Sequence, residues 1–211
     1  VSNSSIDTFN GRVRGGDVTI GLAGPVSWDD DGTLTIAPTT PNPLPVTFLL
    51  SGGSTIETKA TVMAADDVAI QGASTWRSFD PMRMISIKTD VRSASIVDAR
   101  SDLEIAGSVT IGSGVAADSH IDVGGDLQLS SGTLTIEEGG FVDVAGRLTI
   151  SPTGTLNLNG GTLRGGNLVQ ESGATLNENG GTLIVPEAGA TASAIAAALS
   201  LALARSRVRR R

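Results

Sequence analysis

The chain has 211 residues, enough for one domain or a domain with a tail. It holds 27 glycines, 3% aromatics, no cysteine and one histidine, which excludes disulfide scaffolds, thiolate metal sites, thiol catalysis and any His-built zinc centre or triad. A net charge of −7 argues against nucleic acid, whose binding needs clustered Lys and Arg.

The chain opens at Val1 with no charged-then-apolar leader, so an export leader, if one existed, is expected to have been removed already. Four short segments of the first half, at 15–20, 32–36, 60–64 and 66–72, read as strands of coils with insertions. Ser27, Asp29, Asp31 and Gly32 have the flavour of a calcium loop, but Pro38 stands where an EF-hand needs Glu, so no metal is expected. Residues 38–45 hold four prolines and predict an extended loop. Residues 73–84 read as a loop packed on the surface as a lid, with Trp76, Arg77 and Phe79 as candidate ligand contacts.

The second half repeats. TLNLNGGTL at 155–163 and TLNENGGTL at 175–183 match at eight of nine positions across an offset of 20. A second, glycine-led register begins at Gly107, Gly125, Gly146 and Gly166, spaced 18, 21 and 20. Leu127 and Leu129, Leu134 and Ile136, Val142 and Val144, Leu148 and Ile150, and Leu156 and Leu158 keep a period of two, the signature of one strand face. Three strands of four or five residues in about 20 describe one coil of a solenoid. A β-sandwich would space its strands at 8–12 residues without the echo. The expected fold is all-β: a right-handed parallel β-helix of about eight or nine coils, near 40 Å long at strand spacing, followed by a C-terminal hydrophobic α-helix. Residues 1–184 form the body, irregular over 1–100 and regular over 101–184, and 185–211 form a separate segment. Asn159 and Asn179, at equal places before Gly-Gly, read as turn residues able to form an amide ladder.

Catalytic signals are sparse. Asp29-Asp30-Asp31, Asp66-Asp67 and Glu137-Glu138 are adjacent in sequence, and strand neighbours point to opposite faces, so they read as solvated turn charges. His120 is expected on a strand exterior. No catalytic residue and no cofactor is expected.

Five of the 15 basic residues, Arg205, Arg207, Arg209, Arg210 and Arg211, lie in the last seven positions, leaving residues 1–187 at −12. Before them run 17 uncharged residues, 188–204, nine of them alanine, with Ile195, Leu199, Leu201 and Leu203 as anchor side chains. As a helix this segment measures about 26 Å, a marginal membrane span with its arginines cytoplasmic. Val185-Pro186-Glu187, the apolar segment and the arginine cluster together resemble the PEP-CTERM sorting signal of Gram-negative bacteria, with Ala188 in place of the second proline of that motif. The resemblance covers 185–211. It implies recognition and cutting by an exosortase-type enzyme, transient residence in the inner membrane and a host that makes extracellular polysaccharide. The Gly-Thr-Leu strands are similar in style to autotransporter repeats, although no run of membrane-barrel strands follows them.

The expected function is that of an exported, non-enzymatic structural protein of the cell surface or matrix that contacts exopolysaccharide and binds no nucleic acid. The alternatives are a polysaccharide lyase or hydrolase on the same scaffold, which would need three or more carboxylates, or an arginine beside them, on one face of successive coils, and an adhesin acting through 73–84.

Overall fold

The computed structural model describes residues 4–8, 12–14, 16–20, 26–37, 46–112 and 118–185. In chain order the strands are β1 (Ser4–Thr8), β2 (Arg12–Arg14), β3 (Gly16–Ile20), β4 (Val26–Ala37), β5 (Val46–Leu50), β6 (Thr55–Met63) and β7 (Asp67–Ile70). There follow β8 (Thr75–Ser78), β9 (Met82–Met84), β10 (Lys88–Val91), β11 (Ile96–Ala99), β12 (Leu103–Ile105), β13 (Ser108–Ile111) and β14 (Ser119–Val123). The last are β15 (Leu127–Leu129), β16 (Gly132–Glu137), β17 (Gly140–Ile150), β18 (Gly154–Asn159), β19 (Thr162–Gln170), β20 (Thr175–Glu178) and β21 (Thr182–Ile184).

Every ladder between these strands is parallel, and each strand pairs with the strand one winding away. The result is an all-β parallel solenoid with three faces. A first face carries β8, β11, β14 and the start of β17. A second carries β9, β12, β15 and the end of β17; the two belong to one 13-stranded sheet. The third face is a separate eight-stranded sheet running from β3 to β20. From Val46 to Glu178 the chain completes about six turns, and β1 to β4 are laid ahead of them in parallel register. Most coils repeat at 20 to 22 residues, as Thr55 over Thr75, Lys88 over Asp67 and Gly132 over Gly154 show.

The alternating apolar residues explain the winding. Each strand's inward side chains stack on those of the next coil. Leu103, Leu127 and Leu148 form one column, Ile105, Leu129 and Ile150 a second, Val109, Leu134 and Leu156 a third, and all nine are at most 1% exposed. Burial of such side chains contributes about 25 cal/mol per Å2 of apolar surface, and it is realised only when a neighbouring coil covers them. The five pairs expected from their period of two all face inward. At the entry to the first face the column is polar. The backbone N–H of Ser54 donates to Ser74 Oγ and that of Ser74 to Ser95 Oγ, each at 3.2 Å. Ser119, Gly140 and Gly161 continue this position, and a Cβ on Gly140 would stand 2.5 Å from the Ile111 carbonyl oxygen.

Residues 73–84 are not a surface loop. They contain β8 and β9, two of the three strands of one winding of the core. Trp76 lies between Ile56 and Val97 with no exposure. Its ring tilts against Phe48 with centroids 5.4 Å apart, and its Nε1 donates to Thr61 Oγ1 at 3.2 Å. Met82 and Met84 stack under Leu103 and Ile105. The expected lid is wrong because its polar residues alternate with core residues at period two, and the indole finds its polar partner inside the coil. Residues 38–45 lie outside the described residues.

Candidate functional site

A column of charge runs along the outside of the first face. Glu57, Arg77, Asp98, Asp122, Asp143 and Arg164 occupy one register position on six successive coils. Side chains one strand apart in such a column are separated by about 4.8 Å. Each is flanked on both sides by buried residues, apolar except for Thr58 and Ser78 and a glycine at 165, so the strand alternation fixes these six outward. Around the adjoining corner come Arg100, Gly124 and Ala145. A Cβ on Gly124 would meet the Arg100 carbonyl oxygen at 2.4 Å, so the corner is kept bare and the chain bends sharply there. Column and corner enclose an open groove of about 470 Å3, lined by Asp98, Arg100, Asp122, Gly124, Asp143 and Arg164.

The three carboxylates differ in environment. Asp98 receives Arg77 Nε at 2.8 Å and Arg100 Nε at 2.9 Å on the same oxygen. Arg77 also pairs with Glu57, and the hydrogen bond to Asp98 leads the causes that hold its guanidinium protonated more firmly than usual. Asp143 is gripped by both Arg164 Nε, at 3.0 Å, and Arg164 Nη2. Asp122 sits between them without an ion pair among the described residues. Desolvation in the groove raises its pKa above the ordinary aspartate value, and the like charges of Asp98 and Asp143 add to this, while His120 and Arg100 oppose it. The groove therefore sets one carboxyl whose pKa is raised between two ion-paired carboxylates. Such a split separates acid from base roles, and the distances of one and two strand spacings bracket the carboxylate separations of glycoside hydrolysis.

Sequence reasoning looked for adjacent acids and missed this set, whose members lie 24 and 21 residues apart. A signal was present: Val97-Asp98-Ala99, Ile121-Asp122-Val123 and Val142-Asp143-Val144 are the same apolar-Asp-apolar step on successive coils. The adjacent acids do not gather. Asp29 lies on β4 and Asp67 on β7, while Glu137 ends β16. His120 is on the strand exterior, its ring 5.4 Å from that of Phe141. Among the described residues no group of three His, Asp or Glu is arranged to hold a metal ion.

Of the three candidate ligand contacts at 73–84, Trp76 is in the core, Arg77 is in the charge column and Phe79 alone is an exposed ring, at 53%. Asn179 Nδ2 donates to Asn159 Oδ1 at 3.1 Å and Asn177 Nδ2 to Asn157 Oδ1 at 2.8 Å, so the amide ladder forms in two columns. Of the sorting motif only Val185 is described, resting near Gly165. Pro186, Glu187, the anchor residues Ile195, Leu199, Leu201 and Leu203, and Arg205 to Arg211 lie outside the described residues. Among the described residues no helix is long and apolar enough to cross a membrane.

No family model, curated protein or solved structure matches the chain. Fold and groove together define a parallel β-solenoid bearing an arginine-flanked carboxylate groove.

Proposed function

We propose that the protein is an exported, non-enzymatic structural solenoid of a Gram-negative cell surface or extracellular matrix. Its PEP-CTERM-like C-terminus, carrying Pro186 and Glu187, sorts or anchors it through an exosortase-type enzyme and the inner membrane. The observation that carries this reading is how its surface charges are used. Arg77 with Asp98 and Glu57, Arg83 with Glu104, and Arg164 with Asp143 all pair between coils 20 or 21 residues apart. Charges spent fastening coil to coil suit a stiff rod more than a reaction centre. In the same reading the coil is right-handed, as parallel crossovers are, residues 188–204 form the helix that follows it, and exopolysaccharide is the surface partner. Mass spectrometry of surface-released protein tests the sorting. A mature end near Pro186, lacking the arginines, is expected, and an intact Arg211 on exported protein overturns processing.

One observation favours a second reading, a polysaccharide lyase or hydrolase. Asp98, Asp122 and Asp143 share one groove on successive coils with Arg100 and Arg164 beside them, and the raised pKa of Asp122 suits a proton donor. Incubating the protein and its Asp122→Asn variant with acidic and neutral polysaccharides separates the readings. New reducing ends or unsaturated ends with the parent and none with the variant establish the enzyme; none with either leaves the structural reading standing.

A further inference from the structure

Beside the carboxylate column runs a second row on the same face. Ile96, His120 and Phe141 stand two residues before Asp98, Asp122 and Asp143 on β11, β14 and β17. They therefore share the outward side, about 6.6 Å away along each strand. All three are half-buried, and the His120 and Phe141 rings lie 5.4 Å apart. On the other side of the column the corner is bare, with Gly124 and Ala145 in line. The groove has a ring-bearing bank, a floor of carboxylates and an open bank, repeated from coil to coil.

The charges of the floor do not balance. Arg77 divides itself between Asp98 and Glu57, Arg100 donates to Asp98, and Arg164 holds Asp143 through two nitrogens. With Asp122, four carboxylates face three arginines, each of which is already engaged. Asp122 is the one left over among the described residues. Its raised pKa, to which desolvation contributes most and the like charges of Asp98 and Asp143 add, is that of a carboxyl short of a cation. An anionic polymer would meet only engaged arginines here, together with Asp122. A ligand ammonium supplies what is missing, because on a carboxylate it makes a charge-assisted hydrogen bond.

We propose that this groove binds an amino-sugar polymer, with a protonated amine on Asp122, the sugar ring against His120 and Phe141, and the chain laid along the coil axis. Rungs recur at about 4.8 Å, close to the length of one pyranose unit in an extended chain, so neighbouring units fall on neighbouring rungs. The aromatic bank takes the apolar face of the sugar while its hydroxyls stay wet. Amino sugar is then the chemistry of the exopolysaccharide partner, and the inference rests on the reading of a glycan contact.

Calorimetry on the purified full-length protein, at a pH where amines are protonated, compares a glucosamine hexamer, its fully N-acetylated counterpart, a galacturonate hexamer and spermidine. The glucosamine hexamer is expected to bind at least about tenfold more tightly than each of the others. Asp122→Asn keeps the shape, removes the charge and should weaken that hexamer at least about tenfold. Phe141→Leu should weaken the hexamer and leave spermidine unchanged. By NMR titration the hexamer should lower the pKa of Asp122, since an adjacent ammonium favours the ionised form. Equal binding of the acetylated hexamer overturns the amine, and equal binding of spermidine overturns the sugar. Preference for galacturonate, or an Asp122→Asn protein that binds as the parent does, overturns the assignment of the groove. A protein that binds only the acetylated hexamer loses this inference and keeps its glycan contact; one that binds none of the three hexamers loses both.

Discussion

Replacing Trp76 by alanine tests the winding where sequence and structure disagree most. The indole has no exposure, packs between Ile56 and Val97, and tilts onto Phe48. Removing such a ring from a packed core costs about 3–5 kcal/mol. The variant also leaves Thr61 Oγ1 without its indole donor, although Thr58 Oγ1 stays 2.7 Å away and can take up part of the loss; this adds about 1 kcal/mol at most. A cost near 4 kcal/mol lowers the folding equilibrium constant about a thousandfold and is a large part of a domain's stability of about 5–15 kcal/mol. Phe79, three residues on and 53% exposed, should cost no more than about 0.5 kcal/mol when changed to alanine. Urea unfolding followed by circular dichroism compares the two. Equal midpoints for Trp76→Ala and Phe79→Ala would refute the placement of 73–84 as a core winding and restore the surface loop.

Four further outcomes follow from the surface and the corners. Asp122 has a raised pKa in the folded protein, so its protonated form favours folding at pH values below the ordinary aspartate pKa, and that contribution is lost as pH rises through the folded value; Asp122→Asn should raise the unfolding midpoint near pH 7 and leave it unchanged at strongly acidic pH. Glu104 is held below its ordinary pKa by Arg83, which donates at 2.6 Å, and then by Ser130; its contribution is full above the ordinary glutamate pKa and fades as pH falls through the lowered value, a slope that Glu104→Gln should remove from the stability profile. Asn157→Ala breaks the amide column on both sides, toward Thr135 and Asn177, and should cost about 1 kcal/mol in thermal unfolding. Gly132 has a φ of 81° and its Cβ would stand 2.2 Å from the Gly107 carbonyl oxygen, so Gly132→Ala should cost at least about 2 kcal/mol and speed amide exchange in β16 first.

The repeat was legible in the second half because identical residues stack. Thr155 to Asn157 fall directly over Thr175 to Asn177, at the offset of 20 read from the sequence. The glycine-led register was misleading. Gly125, Gly146 and Gly166 share one corner, but Gly107 belongs to the column of Gly132 and Gly154, so its spacing of 18 joined two different corners. The first half hid its coils because its core uses Trp76, Met82, Met84 and Thr89 where the second half uses Leu, Ile and Val. A column asks only that a side chain fill its slot, and diverse side chains can do so. Thr89 shows the tolerance of the slot, lying fully buried with its hydroxyl unpartnered among the described residues. The carboxylate groove was hidden for another reason. Its members are neighbours only through the winding, and aligning the apolar-Asp-apolar steps requires the offset of 24 between Ile96 and His120, the extra length lying between the end of β13 at Ile111 and the start of β14 at Ser119.

That irregular offset has a wider meaning. Strand register holds after the longer winding, with Ser119 over Gly140 and Leu127 over Leu148, so the rungs keep their order. Length can then be dialled in whole rungs. Splicing in or deleting one 20-residue unit would move the two ends apart or together by about 4.8 Å and leave every other neighbour relation unaltered, which makes this molecule a ruler whose graduations evolution or an engineer can count.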